Sequence, residues 1–205
     1  SRRQLKQSLP ALDLILANDL RQQIAVALDR AAIASTGAAN QPQGILSAAG
    51  VGVQAIGANG GALTWSHVTA LLAMVEATNV SAAGLGWLTN YKVKAAMMST
   101  PKVAGTASMI LNPDELKEPA VAGLKAAWSG NVPSNLTKGT GTNLSALIVG
   151  NWPDLLIGQW GGVDLIVDDV TAASRGNVKI VAHSEWDAAL RRAASFARIV
   201  DATTP

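Results

Sequence analysis

The sequence predicts an α+β fold, and three observations carry that prediction. A helix-length amphipathic pattern lies near the start, a glycine-rich tract then gives way to alternating helical and strand patterns, and strand-like apolar runs fill the last third. From Leu12 to about Ile33, the residues Leu12, Ile15, Leu16, Leu20, Ile24, Ala27, Leu28 and Ala31 recur at three- and four-residue steps. Asp13, Arg21, Gln22, Asp29 and Arg30 occupy other faces, as in an amphipathic helix. At a rise of ~1.5 Å per residue such a helix is roughly 30 Å long, with Pro10 near its first turn and Gly37 past its end.

Asn40-Gln41-Pro42-Gln43-Gly44 and the small-residue tract from Ala48 to Gly61 hold too much glycine for a continuous helix and predict turns and short strands. Thr64 or Ser66 can cap a second helix carrying Val68, Leu71, Leu72 and Val75, and Gly84 to Thr89 reads as a short buried strand. A third helix begins at Asn90 and ends before Pro101, because the residue preceding a proline is driven out of the helical region. Residues Thr106 to Thr142 favour irregular connections, with one strand near Ala120 to Trp128 and a long exposed loop near Lys138-Gly139-Thr140-Gly141. Strands then follow at Leu144 to Val149, Leu155 to Ile157, Val163 to Val167, Val178 to Ala182 and Phe196 to Val200. No repeat of solenoid period and no charge block interrupts the order.

Composition narrows the function classes. The 205 residues suffice for one sizeable domain or two small ones, and 49% hydrophobic content fills a core. The formal net charge of +2 is far from the concentrated basic stripes of a dedicated nucleic-acid binder. Absence of cysteine excludes disulfides, thiol nucleophiles and Cys-ligated zinc. Two histidines, His67 and His183, give a metal or histidine-based catalytic centre little material. No segment approaches the ~18 consecutive apolar residues of a membrane span.

Candidate chemistry is sparse. Lys138-Gly139-Thr140-Gly141-Thr142 invites a phosphate-loop reading, but the Walker pattern needs four residues between its glycines and a Lys after the second. Asp154, Asp164, Asp168 and Asp169 could form an acid/base pair or a cation site, although aspartates at strand ends are usually turn formers or ion-pair partners. Three Asn-x-Ser/Thr matches, at Asn79, Asn135 and Asn143, carry no weight without secretion. Six tryptophans accompany one Tyr and one Phe; spread evenly, they read as core pieces, with one or two available as interface anchors.

The stretch Asn151 to Asp169, together with Asn40 to Leu46, Gly86 to Asn90, Ala27 to Ile33, Val132-Pro133, Val178 to Val181 and Ser195 to Ala197, resembles the major capsid proteins of tailed bacteriophages, which have the Hong Kong 97-type fold. The resemblance implies a spine helix over 12–33, a peripheral (P) domain over 1–40 and 165–205, and an axial (A) domain of mixed helices and sheet over 41–164. It implies a subunit interface on a P-domain loop with Asp168, Asp169, Arg175 and Gly176, and a capsomer-axis loop with Lys138, Gly139, Thr140 and Gly141. Trp160, Gly161 and Gly162 are expected to form a compact packing corner between two short strands.

The function so implied is structural: copies assemble into hexamers and pentamers of an icosahedral virion shell around double-stranded DNA, held non-specifically, after assembly in the bacterial host cytoplasm. Portal and scaffold are partners in the full-length context, and no membrane, metal or cofactor is expected. Family elements that precede the spine helix are missing ahead of Ser1, so the chain resembles a truncated subunit and is expected to be monomeric or weakly associated. The competing readings are an encapsulin-like compartment shell, an Asp-dependent hydrolase using Asp164 or Asp168, and a nucleic-acid-binding module.

Overall fold

A computed structural model describes residues 11–112, 119–168, 170–171 and 173–204, with side chains from Ile15 onward. The chain divides into two compact units, one of Ser1–Asp29 with Ile157–Asp187 and one of Arg30–Leu156 with Ala188–Pro205.

The larger unit is built on a mixed eight-stranded sheet. Its strands are β1 (Gly52–Val53), β2 (Gly61–Ala62), β3 (Leu85–Thr89), β4 (Ala120–Val121), β5 (Leu124–Trp128), β6 (Leu136–Lys138), β7 (Gly141–Asn151) and β10 (Phe196–Thr203). The order is β1-β10-β7-β3-β5-β4, with β2 also on β10 and β6 on β7. β10 runs antiparallel to β7 and parallel to β1 and β2, while β3 is antiparallel to β7 and parallel to β5.

Both faces of this sheet are covered, which is why β7 reads as an unbroken apolar run instead of an alternating one. Leu147 and Val149 of β7, with Ala197 and Ile199 of β10, pack against Val68, Leu71 and Val75 of α2 (Trp65–Glu76) and Val93 and Met97 of α3 (Tyr91–Ser99). The alternate residues Ala146, Ile148 and Phe196 face Ile33, Ile45, Ala48, Val51 and Val132 on the other side. Two buried polar side chains of β3 are paired across the sheet: Trp87 Nε1 donates to Val121 O at 2.9 Å, and Thr89 Oγ1 to Ala146 O at 2.8 Å.

The predicted caps hold. Thr64 precedes α2, and its backbone N–H donates to His67 Nδ1 at 3.3 Å. The Asn90 side chain accepts from Val93 N at 2.9 Å at the start of α3 and donates to Pro133 O at 3.0 Å. The single strand expected over Ala120 to Trp128 is a hairpin, β4 and β5, turned by Ala122 and Gly123 at positive φ.

Within the smaller unit, β8 (Leu155–Asp168) and β9 (Lys179–Leu190) pair as a separate two-stranded ribbon. The helix α1 (Ala11–Ala34) belongs to this unit up to Asp29. Between Ile15 and Asp29 its half-buried positions are Leu16, Ala17, Leu20, Ile24 and Leu28, so the apolar stripe is narrower than expected: Ile15 and Ala27 are exposed.

The unit boundaries differ from the expected domain boundaries. They fall at 29/30, 156/157 and 187/188, where 40/41 and 164/165 were expected; the place of β10 within the large sheet accounts for residues from Ala188 onward joining the sheet unit. Among the described residues, no helix is long and apolar enough to cross a membrane.

Candidate self-association surface

The two strands expected at Leu155 to Ile157 and Val163 to Val167 are one strand. Gly161 adopts φ 78° inside β8, a backbone conformation that glycine permits without ending the strand. Among the described residues, Trp160, Gly161 and Gly162 do not form the expected packing corner. Trp160 is 60% exposed, and a Cβ placed on Gly161 or Gly162 would meet nothing within 4 Å. What the ribbon presents instead is apolar surface: Leu156, Ile157, Trp160, Leu165, Ile166 and Val167 are all exposed on β8.

At the ribbon tip, Asp168 accepts from Val170 N and Thr171 N, each at 3.0 Å, fixing a turn. The Thr171 hydroxyl, with those backbone N–H groups, holds the Asp168 carboxyl below the usual carboxylate range. Arg175 and Gly176 follow in a short 3₁₀ turn, with Gly176 N donating to Ala173 O at 3.0 Å. Arg175 and Asp164 are exposed, and Asp169 lies outside the described residues.

The hairpin of Lys138, Gly139, Thr140 and Gly141 is tight rather than long. β6 and β7 pair directly on either side of it, and Thr140 N donates to Asn59 Oδ1 at 3.1 Å. Gly139 and Gly141 lie against Asn59 so closely that a Cβ at either would collide with it. Lys138 does not project freely: its Nζ meets Asp201 Oδ2 at 2.5 Å. Asp201 is fully buried and also accepts from Ile56 N at 3.0 Å and Gly57 N at 3.4 Å. The register of β10 on β7 shifts between Ile199 and Ala202, and this irregularity sets Asp201 out of the regular ladder.

A second buried carboxylate stands just before β8. Asp154, 1% exposed, accepts from Arg191 Nε at 2.8 Å and from Asn151 Nδ2 at 2.8 Å, while its backbone oxygen accepts from Arg191 N at 2.8 Å. The Asn151 amide, then the nearby Ser195 hydroxyl and the Arg191 guanidinium, hold its carboxyl below the usual range. Sequence reading reached the carboxylates at 154 and 168 but not their partners, and Asp201 drew no attention inside an apolar run. The one signal for Asp154 is its place directly after Trp152-Pro153, a turn that tucks the following side chain inward.

A shallow cleft of ≈ 260 Å³, lined by residues including Leu46, Pro133, Leu136 and Val200, has no titratable side chain in its lining. Lys138–Asp201 and Arg191–Asp154 are thus internal ion-pair clamps, and the ribbon tip is an exposed charged site.

A family model described as the phage capsid family matches residues 1–201. The major capsid protein of Halomonas phage phiHAP-1 is 29% identical over 196 residues, 96% of this chain but 30% of that relative's length. Among solved structures, the capsid of an empty GTA particle superposes with a TM-score of 0.73 at 19% identity, covering 99% of this chain and 70% of the other. A structure from Gordonia phage Cozz gives 0.64 at 18% identity over 95% and 65% of the two chains. The holo-SrpI encapsulin complex from Synechococcus elongatus PCC 7942 gives 0.56 at 16% identity over 91% and 65%. At these identities the solved structures establish the Hong Kong 97-like capsid fold.

Proposed function

The chain belongs to the phage capsid family, and from that premise we propose that it is a structural subunit of an icosahedral virion shell, acting by self-association into hexamers and pentamers. The observation that carries this reading is the smaller unit: among its described residues not one side chain is buried, while the larger unit holds a full core. Exposed apolar surface on the ribbon is of the kind that suits contact with neighbouring copies.

On this reading the sheet unit, bounded at Leu156 and Ala188, is the axial part, and the ribbon with α1 up to Asp29 is the peripheral part. Asp168 and Arg175 at the ribbon tip are proposed to dock against neighbouring copies; Asp169 joins them as a sequence-based expectation. Exposed pairs of this kind contribute only ~0.2–1 kcal/mol each, so the shell depends on their repetition and on apolar contact. Double-stranded DNA as non-specific content, portal and scaffold as partners, and assembly in the host cytoplasm belong to the same proposal. The chain spans 30% of the curated relative's length, so these partners are proposed for the protein from its whole reading frame.

Electron microscopy of the protein from its whole reading frame tests the reading. Closed particles are expected, and Arg175→Glu is expected to reduce their yield without changing the unfolding of the sheet unit. A soluble protein that forms no particle under any solution condition, yet hydrolyses a substrate in a manner dependent on Asp164 or Asp168, would overturn it. The encapsulin likeness supports a compartment shell as the second reading. Particles enclosing protein instead of DNA would favour it.

A further inference from the structure

Arg198 is a cation set in an interior strand. Its backbone pairs with Val53 of β1 on one side and Ile148 of β7 on the other, and along β10 its side chain shares a face with Phe196 and Val200. The half-buried guanidinium has no carboxylate within ion-pair distance among the described residues. Its Nη1 donates instead to Ile45 O at 2.6 Å and to Ala48 O at 3.4 Å. Burial lowers its pKa from the usual arginine value, and no acid offsets that effect. Taking a charge out of water without a counter-charge is costly, so stability alone favours an apolar residue between Phe196 and Val200.

The two carbonyls belong to the turn that closes the end of α1. Ile45 N donates to Ala32 O at 3.0 Å and Leu46 N to Ile33 O at 2.9 Å, which satisfies carbonyls that the helix itself leaves open. Ile45 therefore stands in one hydrogen-bonded chain from Arg198 to Ala32. Gly44 lets the turn lie this close, since a Cβ there would come within 2.7 Å of Ala34 N and 2.8 Å of Ala31 O. Ala31 to Ala34 lie in the sheet unit, and α1 is continuous through the 29/30 boundary.

We infer that Arg198 is a positioning residue for shell closure: its guanidinium holds the 44–48 turn, and through Ile45 the end of α1, at one place on the sheet. This rests on the shell-subunit reading and adds to it a residue that governs the geometry of assembly. Closure demands that every copy be alike, because head-to-tail contacts whose rotation does not close give open assemblies. A guanidinium suits the task, since its planar donors point in fixed directions where an ammonium's rotate.

Arg198→Met, in the protein from its whole reading frame, removes the charge and both donors at similar length. In free subunits, peptides over residues 44–48 are expected to exchange hydrogen at least about 10-fold faster than in the parent, with β7 unchanged. The urea midpoint is expected to stay within about 0.5 M of the parent, while electron microscopy shows open or mis-sized assemblies in place of the parent's closed particles. Closed particles of parental diameter overturn the inference and leave the shell reading intact. A lower midpoint with fewer particles of unchanged diameter also overturns it, because that is the result for a merely structural residue. Arg198→Lys keeps the charge without the fixed donor geometry and is read by the same criteria should the Met variant fail to fold. If the parent itself forms no closed particles the shell reading fails, and the inference fails with it.

Discussion

The Lys138–Asp201 clamp makes an asymmetric prediction about which end of an ion pair matters. Asp201 has no solvent exposure, whereas the Lys138 side chain keeps about one third of its surface in water, with 35% exposure. Lys138→Met strands a buried carboxylate on two backbone N–H groups, and breaking a buried pair this way costs about 3–5 kcal/mol. Asp201→Asn removes the charge that could not escape, and Lys138 can turn into solvent; the loss is that of hydrogen bonds to a charged group, about 1.5–3 kcal/mol.

Urea unfolding followed by far-UV circular dichroism resolves the difference. With a slope of about 2 kcal/mol per M, the midpoint should fall by about 1.5–2.5 M for Lys138→Met and by about 0.7–1.5 M for Asp201→Asn. The double variant, which buries no charge at all, should be more stable than Lys138→Met alone, with a coupling of about 0.5–3 kcal/mol. A Lys138→Met midpoint within about 0.3 M of the parent, or strict additivity in the double variant, would refute the clamp.

Gly150 lies opposite Phe196 in the sheet register, and a Cβ there would enter the Phe196 ring, which itself meets Trp152 edge-on at 5.7 Å between centroids. Gly150→Ala should therefore cost about 1–3 kcal/mol by overpacking, read as a lower midpoint; an unchanged midpoint would mean that the ring has room to move. Asp154 gives a pH signature. Its folded-state carboxyl titrates below the ordinary value, so its stabilising contribution is present above that value and is lost as pH falls through the folded one. Unfolding midpoints measured from about pH 6 to about pH 3 should fall more steeply for the parent than for Asp154→Asn, and parallel slopes would exclude the pairing with Asn151 and Arg191.

Legibility in the sequence followed how local the deciding interaction is. Thr64 and Asn90 announce α2 and α3 because a cap bonds within three residues. Leu144 to Val149 announces a strand covered on both faces because that state needs only an apolar run. Gly161 misled: flanked by Gly158 and Gly162 it reads as a turn, yet pairing with β9 keeps the strand going through it. Lys138 misled for a related reason, since a lysine among glycines looks solvated until Asp201, distant in sequence, is known to face it. The exposed apolar face of β8 looks identical in sequence to a core strand, because exposure is decided by distant residues that a local pattern does not carry.

The position of β10 has a consequence in time. It lies between β1 and β7, so the sheet cannot close around residues 52–62 until residues 196–203 have been made. At about 5–20 residues per second, the ribosome takes roughly 7 to 30 seconds to travel from one segment to the other. For the last roughly 1 to 3 seconds of that interval both ribbon strands exist while β10 is incomplete, so a nascent chain briefly displays its sticky surface before the sheet that carries it has closed. Crowded synthesis on one messenger would expose neighbouring chains to each other in that state, and a holdase that covers β8 would be most useful there.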